Sequence, residues 1–205
     1  MLSAFTSAQP VAGEDAQPRH RQVGKYHPVI GAIGTWTPSR RVILAVGTLD
    51  MTHDEHKIRQ ASQADCAAVV ACVRAAYVKY VGRIGGEPAP MLADYPTLIA
   101  RGVVYVLPDG LSGDLRGLIV VWPKDGAMFV ENVAVDPSYQ REGLGCRLMA
   151  FAEELARAAG LPDLRLHTNE AMTENLAFYG RLGFEEISRS VQDGYRRVFL
   201  RKILM

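Results

Sequence analysis

The sequence predicts a mixed α/β domain, and three observations carry that prediction. From residue 57 onward, short apolar runs of strand length interleave with longer segments whose apolar residues recur at helical spacing. Their order is βαα-βββ-α-β-α-ββ, a strand meander followed by one crossover, unlike the regular alternation of a doubly wound sheet. The stretch "SYQREGLG", 138–145, places a basic residue and two glycines at the junction of a strand and a helix.

The elements follow in chain order. Residues 1–28, rich in Ala, Gln, Pro and small polar residues, have the composition of a disordered segment. Within 28–50, "RVILAVGTL" has strand character, but glycines and prolines interrupt its surroundings. Met51 begins "MTHDEHKIRQAS" like a fresh start, so the chain divides into an N-terminal extension, 1–50, partly disordered, and a domain over 51–205. "KIRQAS" reads as a short strand and 63–81 as a helix, broken by "GRIGGEPAP". Residues 91–100 suggest a short second helix, although Pro96 argues against a continuous one. Strands are expected at 102–107, 115–122 and 127–136, joined by "PDGLSGD" and "PKDG" turns. A helix over 143–159, a strand over 163–168, a helix over 173–183 and a closing pair, "FEEISRSV" and "YRRVFLRKI", complete the chain.

Composition narrows the function classes. The 48% hydrophobic content of the 205 residues suits a globular core, and a net charge of +1 gives no case for a nucleic-acid partner. No apolar run is long enough to span a membrane. The start of the chain lacks a basic region followed by an apolar run, so no secretory signal is expected. Cys66, Cys72 and Cys146 lack metal-ligand spacing, and their odd number is poor disulfide arithmetic. Free thiols in a cytoplasmic protein are the expectation. His20, His27, His53 and His56 precede the ordered part in a spacing that fits no ligand pattern, so no metal is expected.

The junction at 138–145 is the most informative stretch. Alternation along the preceding strand puts Phe129, Glu131, Val133 and Val135 on one face, and Pro137 ends it. Gly143 and Gly145 permit strained dihedrals and close approach of a ligand. The first helical turn adds unpaired N–H groups and the positive end of the helix dipole. That combination suits an anionic diphosphate, with Arg141 and Arg147 adding charge. Leu144, Leu148, Phe151 and Leu155 fall at the spacing that buries this helix against a sheet. Neither the dinucleotide GxGxxG pattern nor a Walker GK[ST] is present.

"VENVAVDPSYQREGLGCRLM" resembles the acyl-CoA pyrophosphate signature of the GCN5-related N-acetyltransferase (GNAT) superfamily, R/Q-x-x-G-x-G/A. "NEAMTENLAFYGRLGFEE", 169–186, is similar to its N-x-x-A-x-x-F-Y-x-x-x-G-F segment, and the two occur in the expected order. The resemblance spans roughly 57–203, and "AYVKYVGRIGGEPAPMLADY" also looks like the acceptor-side segment of one bacterial subgroup. It implies a GNAT-like α/β fold with a mixed, mostly antiparallel central sheet flanked by helices. In that fold a splayed strand pair, 128–135 against 164–168, forms the acyl-CoA site. It further implies acetyl-CoA as acyl donor, with the pantetheine arm bonding backbone near Val133 and Val135 and the diphosphate on the amides of 141–145. The implied cofactor-binding set is Val133, Ala134, Val135, Gln140, Arg141, Glu142, Gly143, Leu144, Gly145, Cys146, Arg147, Asn169, Asn175 and Tyr179.

The reaction implied is direct acyl transfer to an amine. Glu131, a charge in an otherwise apolar strand, is the candidate general base; the bland alternative is a carboxylate solvated in an open groove. Tyr179 is implied as the general acid for the departing thiolate, against an ordinary core tyrosine, and it shares a helical face with Asn175. A backbone N–H of the splayed strand, Ala134 or Val135, polarises the thioester carbonyl. Cys146, in the loop, is read as unreactive, and His167 as a residue lining the groove. Acceptor recognition is assigned to 77–95, with Tyr77, Tyr80, Arg83, Glu87, Asp94 and Tyr95; carboxylates suit a cationic amine, and Arg83 suits an acceptor bearing a carboxylate. The acceptor is thus a small-molecule or peptide amine, a homodimer is a family expectation, and the competing function is a non-catalytic acyl-CoA-binding sensor on the same fold.

Overall fold

The computed structural model describes residues 57–110 and 113–204. The run "RVILAVGTL" and His20, His27, His53 and His56 lie outside the described residues. Seven strands form one sheet in the order β1-β2-β3-β4-β5-β7-β6. They are β1 (Arg59–Gln60), β2 (Val104–Pro108), β3 (Leu115–Lys124), β4 (Ala127–Val135), β5 (Asp163–Asn169), β6 (Glu185–Gln192) and β7 (Tyr195–Ile203). Neighbours pair antiparallel except β4 and β5, whose parallel pairing requires the long crossover between them. The helices are α1 (Cys66–Tyr77), α2 (Val81–Ile84), α3 (Tyr95–Ala100), α4 (Leu144–Ala158) and α5 (Thr173–Arg181).

The strand order follows from the turns. Asp125 and Gly126, with φ of 50° and 74°, form the two-residue turn between β3 and β4, and Asp193 and Gly194, at 52° and 80°, form the one between β6 and β7. Asp-Gly is the pair that accepts positive φ at both positions, which matches the twist of the strands it joins. The expected helix over 63–81 arrives in pieces: a 3-10 turn at Gln63–Asp65, then α1, a second 3-10 turn at Val78–Tyr80, and α2. It runs past Gly82 and stops at Gly85, whose φ of 77° makes a left-handed cap. The segment 91–100 is not continuous either. A 3-10 turn, Ala89–Leu92, precedes α3, and Pro96 sits in the first turn of α3, where a missing N–H costs no bond. Asp94 caps that helix by accepting from Thr97 N–H at 3.1 Å.

Two cores cover the two faces of the sheet. On one face α1 and α3 bring Val69, Val73, Leu98 and Ile99 onto Leu118, Val120 and Trp122. On the other, α4 lays Leu148, Met149, Phe151 and Leu155 against Ile119, Val121, Met128 and Leu164, and α5 adds Tyr179. The helix stripe expected from sequence, Leu144, Leu148, Phe151 and Leu155, is buried as a unit. No helix among the described residues is long and apolar enough to cross a membrane.

Gly117 in β3 marks the tightest approach. A Cβ there would sit 2.9 Å from the Ala134 carbonyl and 3.2 Å from Leu148 Cδ1. Gly117→Ala is expected to lower stability by about 1–3 kcal/mol, because backbone on the neighbouring strand has to give way. Urea denaturation of the two proteins measures the difference.

Candidate active site

The site begins where two strands part. Parallel pairing between β4 and β5 covers Met128↔Leu164, Phe129↔Arg165 and Val130↔Leu166, and then stops. Each strand continues with its other neighbour, β4 as far as Val135↔Gly117 and β5 as far as Asn169↔Arg197. A V-shaped opening results, lined on both sides by backbone. Its cause is local. Val120 pairs with Asn132 and Val121 with Val130, so Glu131 is the extra residue of a β-bulge. A bulge bends its strand and interrupts the ladder.

The bulge corrects one expectation. Phe129 packs with the core under α1, whereas Val133 and Val135 pack with the core under α4. Strict alternation would have kept them on one face; the inserted residue shifts the phase between Val130 and Val133. The same register fixes the amides. Asp136 N–H donates to the Arg116 carbonyl at 3.0 Å. Alternate residues of an antiparallel strand face the same neighbour, so Ala134 is turned toward β3 and the amides of Val133 and Val135 toward the opening. The Val133 carbonyl accepts from Tyr77 Oη at 3.3 Å and the Val135 carbonyl from Gln140 Nε2 at 3.1 Å.

At the mouth of the opening lies the loop before α4. Arg141 and Gly143 both adopt left-handed conformations, with φ of 73° and 79°. A non-glycine residue held there is strained, and such strain gathers at ligand clamps. Arg147 N–H donates to the Gly143 carbonyl at 3.1 Å, but the amides from Arg141 to Cys146 reach no backbone carbonyl of the described residues. Arg141 is exposed, and Glu142 is drawn aside into an ion pair with Arg116, which also lies over the Tyr139 ring. Gly145 lines the outer groove without a left-handed φ, and its bareness has a second use. Its Cβ would lie 3.1 Å from Phe178 Cζ, so its bareness lets α5 pack against the first turn of α4. Unbonded amides, a left-handed glycine and a helix start fit the diphosphate of coenzyme A.

Two cavities meet at the opening. The outer groove, with about 520 Å³ open to the centre of a water-sized sphere, is lined by Val133, Val135, Gln140, Arg141, Gly143, Leu144, Gly145, Cys146, Asn175 and Tyr179 among others. The inner cavity, with about 50 Å³ open to the centre of a water-sized sphere, includes Glu131, Asn132, Val133, His167, Asn169, Asn175 and Tyr179. Tyr77, Val133, Asn175 and Tyr179 line both. Of the cofactor-binding set, Ala134 is buried and, with Glu142 and Arg147, lines neither cavity, and Asn169 lines the inner one alone.

Tyr179 is 8% exposed, and burial, with nearby Tyr80, pushes its pKa above the ordinary tyrosine value. It therefore keeps its proton at neutral pH. Asn175 is oriented by Tyr80 Oη, which donates to its Oδ1 at 3.3 Å. Glu131 is half-buried at the bulge. Beside it Asn132 is buried and structural, accepting from Tyr77 Oη at 2.7 Å and donating to Tyr95 Oη at 3.0 Å.

The polar residues expected to greet the acceptor are mostly committed to the protein. Tyr77 and Tyr95 hold Asn132, Arg83 pairs with Glu174 at 2.7 Å, Glu87 with Arg74 at 3.3 Å, and Asp94 caps α3. From that segment the inner cavity takes Tyr77 and, beside it, Ile84, Pro88, Ala89 and Pro90. Its other wall was missed in the sequence: Thr168, Met172, Tyr195 and Arg197. Tyr195 Oη donates to the Glu87 carbonyl at 2.9 Å and so ties the β6–β7 hairpin to the loop after α2. Arg197 Nη1 donates to His167 Nε2 at 2.7 Å, which puts the imidazole proton on Nδ1. Among the described residues, no group of three or more His, Cys, Asp or Glu is placed to hold a metal.

The Acetyltransferase (GNAT) family profile matches residues 64–184, more than half of the chain. The chain belongs to the GNAT family, and is in general terms an acetyltransferase. No curated protein matches the sequence significantly. Solved structures agree on the fold. PaiA N-acetyltransferase from Thermoplasma acidophilum, in complex with coenzyme A, superposes with a TM-score of 0.59 at 18% identity over 72% of this chain and 98% of that one. Ard1 from Thermoplasma volcanium gives 0.57 at 19% identity over 74% and 99%. The NatC complex bound to Gag peptide and CoA gives 0.57 at 17% identity over 72% and 98%.

His167 yields a pH test. Burial first, then Arg197 and Lys124, push its pKa down to about 3, whereas an unfolded histidine titrates near about 6.5. Between those values the unfolded chain binds a proton that the folded chain refuses. The stability His167 contributes is full above pH ~6.5 and is lost as pH falls toward ~3, at up to about 1.4 kcal/mol per pH unit. Urea midpoints measured from pH 7 down to 4 are expected to fall more steeply for the native chain than for His167→Gln. In the loop, Gly143→Glu is expected to abolish acetyl-CoA binding in calorimetry while circular dichroism shows a retained fold, because a side chain and a negative charge enter the anion site.

Proposed function

We propose that this chain transfers an acetyl group from acetyl-CoA directly to the amine of a small molecule or peptide. The observation that carries the proposal is the meeting of two cavities at Val133, Asn175 and Tyr179, with the unbonded amides of 141–146 at the outer end. Coenzyme A complexes of two structures that share the fold add support for the donor.

Acetyl-CoA, when bound, supplies a thioester carbonyl to an attacking amine: a C–N bond forms, the C–S bond breaks, one proton leaves the amine and one reaches the thiolate. The chain's own groups match these demands. Amides 141–146 and exposed Arg141 take the diphosphate. The open-side amides of Val133 and Val135 bond the pantetheine arm as an added strand would. Ala134 faces β3, so of the two donors the sequence left open Val135 is favoured for the carbonyl. Val133, lying where the cavities meet, is a better donor still. Asn175, held by Tyr80, grips the arm beside it. Glu131 receives the amine proton from the inner cavity, and Tyr179, protonated by virtue of its burial, delivers one to sulfur.

Tyr179→Phe is expected to lower kcat by about 100-fold or more while acetyl-CoA affinity stays within about twofold, read by thiol release and calorimetry. Because the Tyr179 pKa lies above the ordinary range, the native pH–rate profile is expected to show no tyrosine limb below pH ~10. A sensor would bind acetyl-CoA equally well and release no thiol with any amine.

A further inference from the structure

We infer that the acceptor amine carries a carboxylate, and that Arg197 is the residue that selects it. The inference rests on the acyltransferase reading above and names the substrate class of the same site. Of the residues that line the inner cavity, Glu131 and Arg197 are the ones with formal charge, since His167 is held neutral. A carboxylate and a guanidinium in one small chamber complement an ammonium and a carboxylate in one small molecule. The Glu131 end is fixed by the chemistry, because the amine has to lose its proton beside the thioester. The other end falls to Arg197.

Its placement supports the assignment. Glu131 and His167 are the first residues past the last β4–β5 pair, Val130↔Leu166, and so stand at the apex of the opening. Arg197 reaches back from its own register position opposite Asn169 to bond His167 at 2.7 Å, while Asp193, in the hairpin turn, accepts from Nη2 at 3.4 Å. These contacts, the second of them an ion pair, orient the guanidinium of a residue that is 7% exposed. An arginine's five N–H donors serve several acceptors at once, so a carboxylate entering the cavity meets a forked contact on a group already held in place. Arginine suits this better than lysine because its planar fork is pre-organised. Arg83, the cation that the sequence offered for the same role, lies outside the inner lining. Ile84, Pro88, Pro90 and Met172 supply an apolar wall, so the class is an amino acid with an apolar side chain.

The experiment uses the full chain with acetyl-CoA and compares leucine, valine and methionine with their amides and their decarboxylated amines, by thiol release. The acid of at least one series is expected to exceed its amide and amine in kcat/KM by about tenfold or more. Arg197→Gln is expected to erase that preference by lowering kcat/KM for the acid, Arg197→Lys to restore part of it, and both to leave acetyl-CoA affinity within about twofold, which also reports an intact fold. Amides or amines used as well as the acids would overturn the inference, as would a preference that survives Arg197→Gln. So would no turnover of any of the acids by a native chain that still binds acetyl-CoA. Failure of the native chain to bind acetyl-CoA is the separate result that removes the acyltransferase reading, and this inference with it.

Discussion

The parting of β4 from β5 after Val130 and Leu166 is the constraint on which the rest of the molecule depends. Parallel strands normally hydrogen-bond along their shared length, and an exposed strand edge is open to unwanted pairing. Here each strand is secured on its far side, β4 by β3 and β5 by β7, so the inner edges can separate without unravelling the sheet. The bulge at Glu131 starts the separation and also inserts a carboxylate at its apex. Structural defect and candidate base are the same residue.

The mouth of the opening is stiffened from several directions. Gln140 bonds the Val135 carbonyl, Arg116 draws Glu142 aside, and Gly145 lets Phe178 close onto the first turn of α4. Each contact holds backbone in place, and the amides of 141–146 are left without a backbone partner among the described residues. Rigid donors of this kind bind an anion without first having to be ordered, and the strained left-handed backbone of Arg141 lies among them, beside a glycine that adopts the same region freely.

Deeper in, the polar groups divide into those already satisfied and those that face the cavity. Asn132 with Tyr77 and Tyr95 forms a buried network that locks α1 and α3 to β4. Such a network, fully bonded, specifies packing rather than chemistry. Tyr179 packs its ring on Phe178 and Phe184 and, like Tyr77, lines both cavities. The hairpin carrying Tyr195 and Arg197 completes the chamber from a part of the chain remote from the loop it meets.

Local information determined much of this protein. Hydrophobic period and Asp-Gly turns marked the strands and helices from 57 onward, and the Gly143 loop, Asn175 and Tyr179 became candidates through the resemblance of two contiguous motifs, which are local stretches of sequence. Tertiary structure decided the rest. The bulge at Glu131 breaks the alternation by which faces were read, and nothing in "FVENVAV" announces an extra residue, because a bulge is defined by the partner strand. Gly145 was legible as a glycine but not as the contact for Phe178, which comes from another helix. Arg83 and Arg197 look alike in sequence; one pairs with Glu174 at the surface, and the other pairs with Asp193 and lines the inner cavity. That difference lies in contacts between residues far apart in the chain, and pairings of that kind exist only once the sheet has closed.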